Sequence, residues 1–135
     1  CLLFEEWIAR EAAAGRITAD DFGDAPAEIL LHGHCHQKAL SSLDDAVRAL
    51  SLPRGHRVRT IPAGCCGMAG AFGYEREHYA VSMRIGELAV LPAVRAAAPG
   101  TVIVAAGTSC RTQIADGTGR GAEHPAEVLR RALRR

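Results

Sequence analysis

The sequence predicts a three-layer α/β domain with a short, mainly parallel sheet and helices on both faces. Two observations predict this class. Three short apolar runs each lead into a glycine-bearing segment, and helix-length segments with amphipathic spacing separate them. Runs that are apolar almost throughout are typical of buried parallel strands. Because strands and helices alternate along the chain, right-handed crossover connections are expected.

The strands are predicted at residues 27–31, 57–62 and 101–106, with the sequences AEILL, RVRTIP and TVIVAA. The second run alternates, with Val58 and Ile61 as its apolar residues, whereas the third is apolar almost throughout. Each run is followed by a segment that carries both glycine and cysteine. In open α/β sheets, ligands bind at the edge formed by the carboxyl ends of the strands. A functional site is therefore expected at these three segments.

The helices are predicted from the spacing of apolar residues and from capping signals. An amphipathic helix over residues 2–14 ends near Gly15, and a capping box at residues 18–21 opens a short second helical turn. Further helices are predicted over residues 37–50, over residues 74–98 with a kink or new start at Pro92, and from about Ala122, with Pro125 in its first turn, to the arginine-rich end.

Composition bounds the possible functions. The 135 residues, 48% of them apolar, fit one cysteine-rich domain over residues 1–135. The chain opens at Cys1 inside an apparent helix, which favours a fragment of a longer fused protein. A net charge of +1 and 4% aromatic residues argue against nucleic-acid binding. The sequence contains neither an apolar run long enough for a membrane span nor a secretory leader, so a cytoplasmic location is expected.

Cysteine is the unusual feature of the composition. An odd number of cysteines, two of them adjacent, is a poor disulfide framework. With Cys1 set aside at the chain end, each of the other four follows the carboxyl end of a predicted strand: Cys35, Cys65, Cys66 and Cys110. Parallel strands would bring these thiols into one crevice. Four thiolates suit zinc or an iron–sulfur cluster.

The first of these segments reads His-Gly-His-Cys-His-Gln-Lys from His32 to Lys38. A histidine beside a ligated thiolate can donate a hydrogen bond to it, ligate the metal or move protons. His34 and His36 are therefore candidate catalytic residues. The alternative is that these histidines form only the polar, solvent-exposed end of a strand. Lys38 is the only lysine in the sequence.

The second segment, GCCGMAGAFGY over residues 64–74, is the most specific signal in the chain. Gly64 and Gly67 are candidate cofactor-binding positions, because glycine permits positive φ and close backbone approach. Two adjacent thiolates span a polynuclear cluster more easily than one small ion. A vicinal disulfide or a single working thiol also stays open. Beyond this loop, Tyr74 and His78 at helical spacing suggest either a proton-handling pair or an exposed polar face.

The third segment is Gly-Thr-Ser-Cys-Arg, from Gly107 to Arg111. Arg111 could offset the charge of an anionic cluster or hold a substrate carboxylate, and is a candidate catalytic residue on that ground. An ordinary surface arginine is the alternative.

The motifs HGHCHQK, GCCGMAGAFGYE and SCR, in this order, resemble the cysteine-rich CCG domain of bacterial iron–sulfur oxidoreductases. The chain looks most like the C-terminal domain of fused FAD-linked oxidases of the D-2-hydroxyglutarate dehydrogenase or glycolate oxidase type. It is more distantly similar to the cysteine-rich component of heterodisulfide reductases. The resemblance covers most of the chain and implies a metal centre held by Cys35, Cys65, Cys66 and Cys110.

The resemblance also implies the surroundings of the domain. The complete enzyme would oxidise a small 2-hydroxy acid, with an FAD-binding domain and a ferredoxin-like domain in the same or a partner chain. This chain itself carries no flavin-binding motif. The heterodisulfide reductase pattern ends in Cys-x-x-Cys, whereas Gly107 stands at the first of those positions. One ligand fewer favours a [4Fe-4S] cluster or a single zinc or iron ion.

Three hypotheses follow. In the first, the metal centre passes electrons or positions the substrate for a flavin-linked oxidoreductase. In the second, the chain is a structural zinc-binding module that docks on the flavin domain and performs no chemistry. In the third, Cys65 and Cys66 perform thiol redox chemistry without a metal.

Overall fold

A computed structural model describes residues 1–134. Within that range the chain forms seven α-helices, three β-strands and two short 3₁₀ turns. The elements are α1 (Phe4–Ala13), a 3₁₀ turn (Ala19–Asp21), β1 (Ala27–His32), α2 (Cys35–Leu40), α3 (Asp44–Leu50), β2 (His56–Thr60), a 3₁₀ turn (Phe72–Tyr74), α4 (Tyr79–Glu87), α5 (Val90–Ala96), β3 (Val102–Ala105), α6 (Thr108–Thr118) and α7 (Pro125–Ala132).

The sheet is parallel throughout, with strand order β2-β1-β3. In the central strand, alternate side chains point to opposite faces. Ile29 and Leu31 pack with α1, α3 and α7 on one face, whereas Leu30 packs with α5 and α6 on the other. The predicted three-layer α/β fold with helices on both faces is confirmed.

The predicted helix over residues 37–50 is two helices in the structure, and the sequence reading was wrong there. The serines at 41 and 42 break it, because their hydroxyls compete for backbone groups. The Ser41 hydroxyl donates to the Gln37 carbonyl, and the Ser42 hydroxyl accepts the backbone N–H of Asp44. The first of the two helices, α2, begins at Cys35, two residues before the predicted start.

The predicted helix over residues 74–98 is likewise two helices, α4 and α5, and it begins at Tyr79 rather than residue 74. A new start near Pro92 is confirmed. Pro92 is the third residue of α5, where the backbone N–H has no partner within the helix, so proline costs no hydrogen bond.

The sequence reading missed α6 entirely. The residues of α6 include three threonines and a glycine, which have low helix propensity. Packing decides its structure, because Ile114 is buried with Leu30 on the α5 side of the sheet and Gly117 lies against Leu91 of α5. The final helix begins at Pro125 rather than at about Ala122, and Pro125 lies in its first turn as expected. Arg135, at its predicted end, lies outside the described residues.

In the described part of the chain, no helix combines the length and the apolar character that a membrane crossing requires.

Candidate metal centre

The four cysteines expected to converge all line one crevice of about 320 Å³ at the carboxyl edge of the sheet. Cys35 comes from the start of α2, Cys65 and Cys66 from the loop after β2, and Cys110 from α6. The prediction that three strand exits deliver their sulfurs to a common site is confirmed. The crevice is lined by His34, Cys35, His36, Cys65, Cys66, Ala69, Gly70, Ser109 and Cys110.

The thiols lie at two depths. Cys66 and Cys110 are buried, whereas Cys35 and Cys65 are half-buried nearer the mouth. All five cysteines of the described chain are free thiols. A vicinal Cys65–Cys66 disulfide is therefore absent from this structure.

His32 lies beside the deeper pair and was not among the site residues predicted from the sequence. Its side chain is completely buried, and one ring nitrogen lies within 4.8 Å of the Cys66 and Cys110 Sγ atoms. A strand-period argument would have found it, because His32 shares with Leu30 the face of β1 that packs on α5 and α6.

The donor set at this depth fits a metal. Neither ring nitrogen of His32 has a hydrogen-bond partner among residues 1–134. A buried imidazole without a partner is costly to fold, and imidazole nitrogen with thiolate sulfur is a donor set that zinc and iron accept. The residues present therefore fit a metal group at the inner end of the crevice.

Electrostatics at the deeper pair favour one thiolate in the metal-free protein. The pKa of Cys66 falls to about 4, because a hydrogen bond from the neighbouring Cys110 thiol stabilises the negative charge. The pKa of Cys110 is raised in turn, because its proton stays beside the Cys66 thiolate. Burial raises the pKa of the Cys65 thiol.

His34 and His36 stand at the mouth of the crevice. His34 precedes α2, and its Nδ1 accepts the backbone N–H of His36 at 3.3 Å. The two rings meet edge to face with centroids 5.4 Å apart. Burial, together with the neighbouring His36, lowers the pKa of His34, so that its imidazole is neutral at pH 7.

A buried amide supports the loop that carries Cys65 and Cys66. The Gln113 side-chain nitrogen donates to the Cys66 carbonyl at 3.1 Å and to the Ser82 carbonyl at 3.0 Å. Gly67 has φ +99°, and a Cβ there would overlap the Ser82 carbonyl oxygen. Only glycine fits at 67. Sequence reasoning missed Gln113 and Ser82, because nothing local marks them.

The predicted cofactor-binding glycines do not form the crevice wall. Of the residues that the structure describes, those lining the crevice include Ala69 and Gly70 but neither Gly64 nor Gly67. A Cβ at Gly64 would meet no atom within 4 Å. Gly67 serves the close packing of the loop on α4, so its effect on the site is indirect. The segment that follows Cys66 and Gly67 is a loop up to the 3₁₀ turn at Phe72–Tyr74.

Arg111 does not line the crevice among the residues of the described chain. Its guanidinium donates to the Ala105 and Ala106 carbonyls at 3.0 and 2.7 Å, and to the Thr108 hydroxyl. It therefore binds the exit of β3, and its action on a substrate stays a prediction.

Tyr74 and His78 are not neighbours on one helix, because the segment between them is irregular. The His78 ring stacks on Phe72 with centroids 4.1 Å apart, and its Nδ1 lies 2.7 Å from a Glu75 carboxylate oxygen.

The fold and the crevice define a class, a small parallel α/β domain that presents a convergent set of free thiols at the carboxyl edge of its sheet. Over 129 residues, 95% of its length, the chain is 32% identical to D-2-hydroxyglutarate dehydrogenase of Escherichia coli (strain K12) and to the enzyme of that name from Pantoea ananatis (strain AJ13355). It is 25% identical, over 97% of its length, to one of the subunits of the anaerobic glycerol-3-phosphate dehydrogenase of Escherichia coli (strain K12).

These matches confirm the resemblance to part of an oxidoreductase of the D-2-hydroxyglutarate dehydrogenase type. The chain spans 12% of the length of the two D-2-hydroxyglutarate dehydrogenases and 32% of the length of the glycerol-3-phosphate dehydrogenase component. No protein-family model matches the chain. No solved structure matches it significantly either.

Proposed function

We propose that this chain holds the metal centre of a larger flavin-linked oxidoreductase, with Cys35, Cys65, Cys66 and Cys110 as its thiolate ligands. The observation that carries the proposal is the convergence of these four thiols, from three strand exits, on one crevice. Unreactive core cysteines have no reason to meet there. The unpartnered His32 imidazole beside Cys66 and Cys110 supports the proposal independently and makes His32 a further ligand candidate.

The ligand set suits a [4Fe-4S] cluster, or a single zinc or iron ion. When bound, an iron–sulfur cluster would accept electrons and pass them on. The chain's own contribution is to supply thiolates, to exclude water from the inner half of the crevice and to hold the ligands in place. The burial of Cys66 and Cys110 supports that exclusion.

The residues at the mouth have separate proposed roles. We assign the neutral His34 imidazole as a hydrogen-bond donor to a ligated thiolate or as a proton carrier. The exposed His36 would exchange protons between the crevice and solvent. For Arg111, its bonds to the β3 exit support a role in holding the turn before Cys110 rather than contact with a substrate carboxylate.

The complete enzyme is proposed by analogy with its relatives. Both kinds of relative are named as dehydrogenases, and the similarity to D-2-hydroxyglutarate dehydrogenase supports a small 2-hydroxy acid as the substrate. An FAD-binding domain and a ferredoxin-like domain, in the same chain or a partner, would complete the electron path. Free thiols fit a reducing compartment such as the cytoplasm.

Anaerobic reconstitution with iron and sulfide, or with zinc, followed by elemental analysis tests the metal site. We expect stoichiometric metal in the wild-type chain and reduced metal in Cys66→Ser and Cys110→Ser. The exposed Cys1 lies outside the crevice, so Cys1→Ser serves as the control. A colourless protein that retains neither iron nor zinc would contradict the proposal. Equal metal content in all three variants would mean that the ligands are misassigned.

A structural zinc site is the second candidate, and the burial of His32, Cys66 and Cys110 favours it, because structural zinc sites are closed to solvent. The same reconstitution separates the two candidates. An iron–sulfur cluster changes its visible spectrum on reduction with dithionite, whereas zinc gives no such signal. Zinc uptake with no exchangeable ligand would favour the structural role.

A further inference from the structure

Lys38 connects two of the segments that carry thiols. It lies three residues after Cys35, on the same side of α2, and is half-buried. Its ammonium donates to the carbonyl oxygens of Ala63 and Gly64, at 2.8 Å in the second case. Those carbonyls immediately precede Cys65. One side chain thus joins the helix that presents Cys35 to the loop that presents Cys65.

The ammonium has no acidic partner among residues 1–134. No carboxylate lies within salt-bridge distance of Lys38 in the part of the chain that the structure describes, whereas other cations such as Arg54 and Arg131 have one. A half-buried positive charge without a counter-ion is compensated by whatever anionic group lies nearest. Four thiolates around a divalent ion or a cluster carry a net negative charge, and two of them belong to the segments that Lys38 joins.

We propose that Lys38 is a positioning residue for the metal centre. It holds Cys35 and Cys65 at the separation that a shared metal group requires, and its charge offsets that of the ligated thiolates. The proposal rests on the proposed metal-holding function. Lys38 is the only lysine in the sequence, and its contacts to the Cys65 segment could not be predicted from the sequence alone.

The chain offers a matched control. Arg120 also binds backbone carbonyls, those of Val94, Ala97, Ala98 and Thr101, but it closes the end of α5 away from the crevice. Arg120→Met therefore removes the same kind of contact without touching a thiol-bearing segment. Lys38→Met keeps the length of the aliphatic stem and removes the donors, and Lys38→Arg restores both charge and donors.

The first readout uses the full chain without metal. A bifunctional thiol reagent such as dibromobimane joins thiols that lie side by side, and peptide mass spectrometry locates the product. We expect the Cys35–Cys65 cross-link to fall at least fivefold in Lys38→Met, and to stay within twofold of wild type in Lys38→Arg and Arg120→Met. A wild-type yield in Lys38→Met would overturn the role of Lys38.

The second readout is the rate at which the reconstituted protein loses metal to a chelator. Loss of an outer contact to a metal ligand typically weakens metal binding by about 10-fold or more. We expect about 10-fold faster loss from Lys38→Met and near-normal loss from Lys38→Arg and Arg120→Met. Equal rates in Lys38→Met and wild type would refute the proposal. Wild-type protein that takes up no metal would overturn the proposed function instead. The Cys35–Cys65 cross-linking yield in the metal-free protein would still show whether Lys38 holds the two segments together.

Discussion

The His34 imidazole fills the space that a side chain at Gly107 would occupy. A Cβ at Gly107 would overlap His34 Cδ2 and would lie 3.1 Å from the Cys110 sulfur. The absence of a side chain at 107 therefore lets the imidazole approach the Cys110 thiol. Gly107 is needed here for space, since its φ of −73° is open to any residue.

Gly107→Ala should displace His34 and lower metal retention several-fold, because the methyl group overlaps the ring and crowds Cys110. Metal content after reconstitution and gel filtration measures the effect. Gly121→Ala is the control, since a Cβ there meets no atom within 4 Å. Unchanged retention in Gly107→Ala would show that the position of His34 does not matter to the site.

His32→Leu should have opposite effects on the metal-free and the loaded protein. Without metal, removing an unpartnered buried imidazole should stabilise the fold by about 1–2 kcal/mol. With metal, loss of a ligand should weaken retention by at least about 10-fold. Urea unfolding and chelator competition measure the two effects. A destabilised metal-free variant would mean that His32 has a hydrogen-bond partner after all.

The metal-free protein should become more stable as the pH rises from about 5 to 8. The pKa of Cys66 is about 4 in the folded chain, below the usual thiol value of about 8.5. Across that interval the unfolded chain binds a proton that the folded chain lacks, so stability rises by up to about 1.4 kcal/mol per pH unit from this group. The raised pKa of Cys110 opposes this only at higher pH, where an unfolded thiol would ionise.

Cys66→Ser isolates that contribution. The variant should lose both the slope between pH 5 and 8 and the ultraviolet absorbance of the thiolate at neutral pH. Cys1→Ser, at the exposed thiol, should retain both. A thiolate signal that persists in Cys66→Ser would assign the charge to another cysteine.

Gln113→Leu should destabilise the protein by about 2–3 kcal/mol, because it leaves the buried Cys66 and Ser82 carbonyls without their donor. The loop that carries Cys65 and Cys66 should become susceptible to proteolysis at the same time. The neighbouring Thr112 donates only within its own helix, so Thr112→Ala should change stability by much less. Similar losses in the two variants would show that the amide network does not hold the loop.

Local patterns in the sequence were enough to predict the sheet and the convergence of the thiols. Apolar runs such as TVIVAA specify buried parallel strands through their local character, and the carboxyl ends of parallel strands necessarily share one edge. Cys35, Cys65, Cys66 and Cys110 were therefore assigned to one crevice without coordinates.

Which other side chains reach the site depends on the folded chain as a whole. The guanidinium of Arg111 turned to the β3 exit, whereas Gln113 supports the crevice from a position with no local signal. The helical state of α6 came from packing against α5, which outweighs its low propensity. The difference lies in the range of the interactions. Strand periodicity is a property of residues that are adjacent in the sequence. Side-chain hydrogen bonding and burial depend on groups from other elements, which meet only after folding.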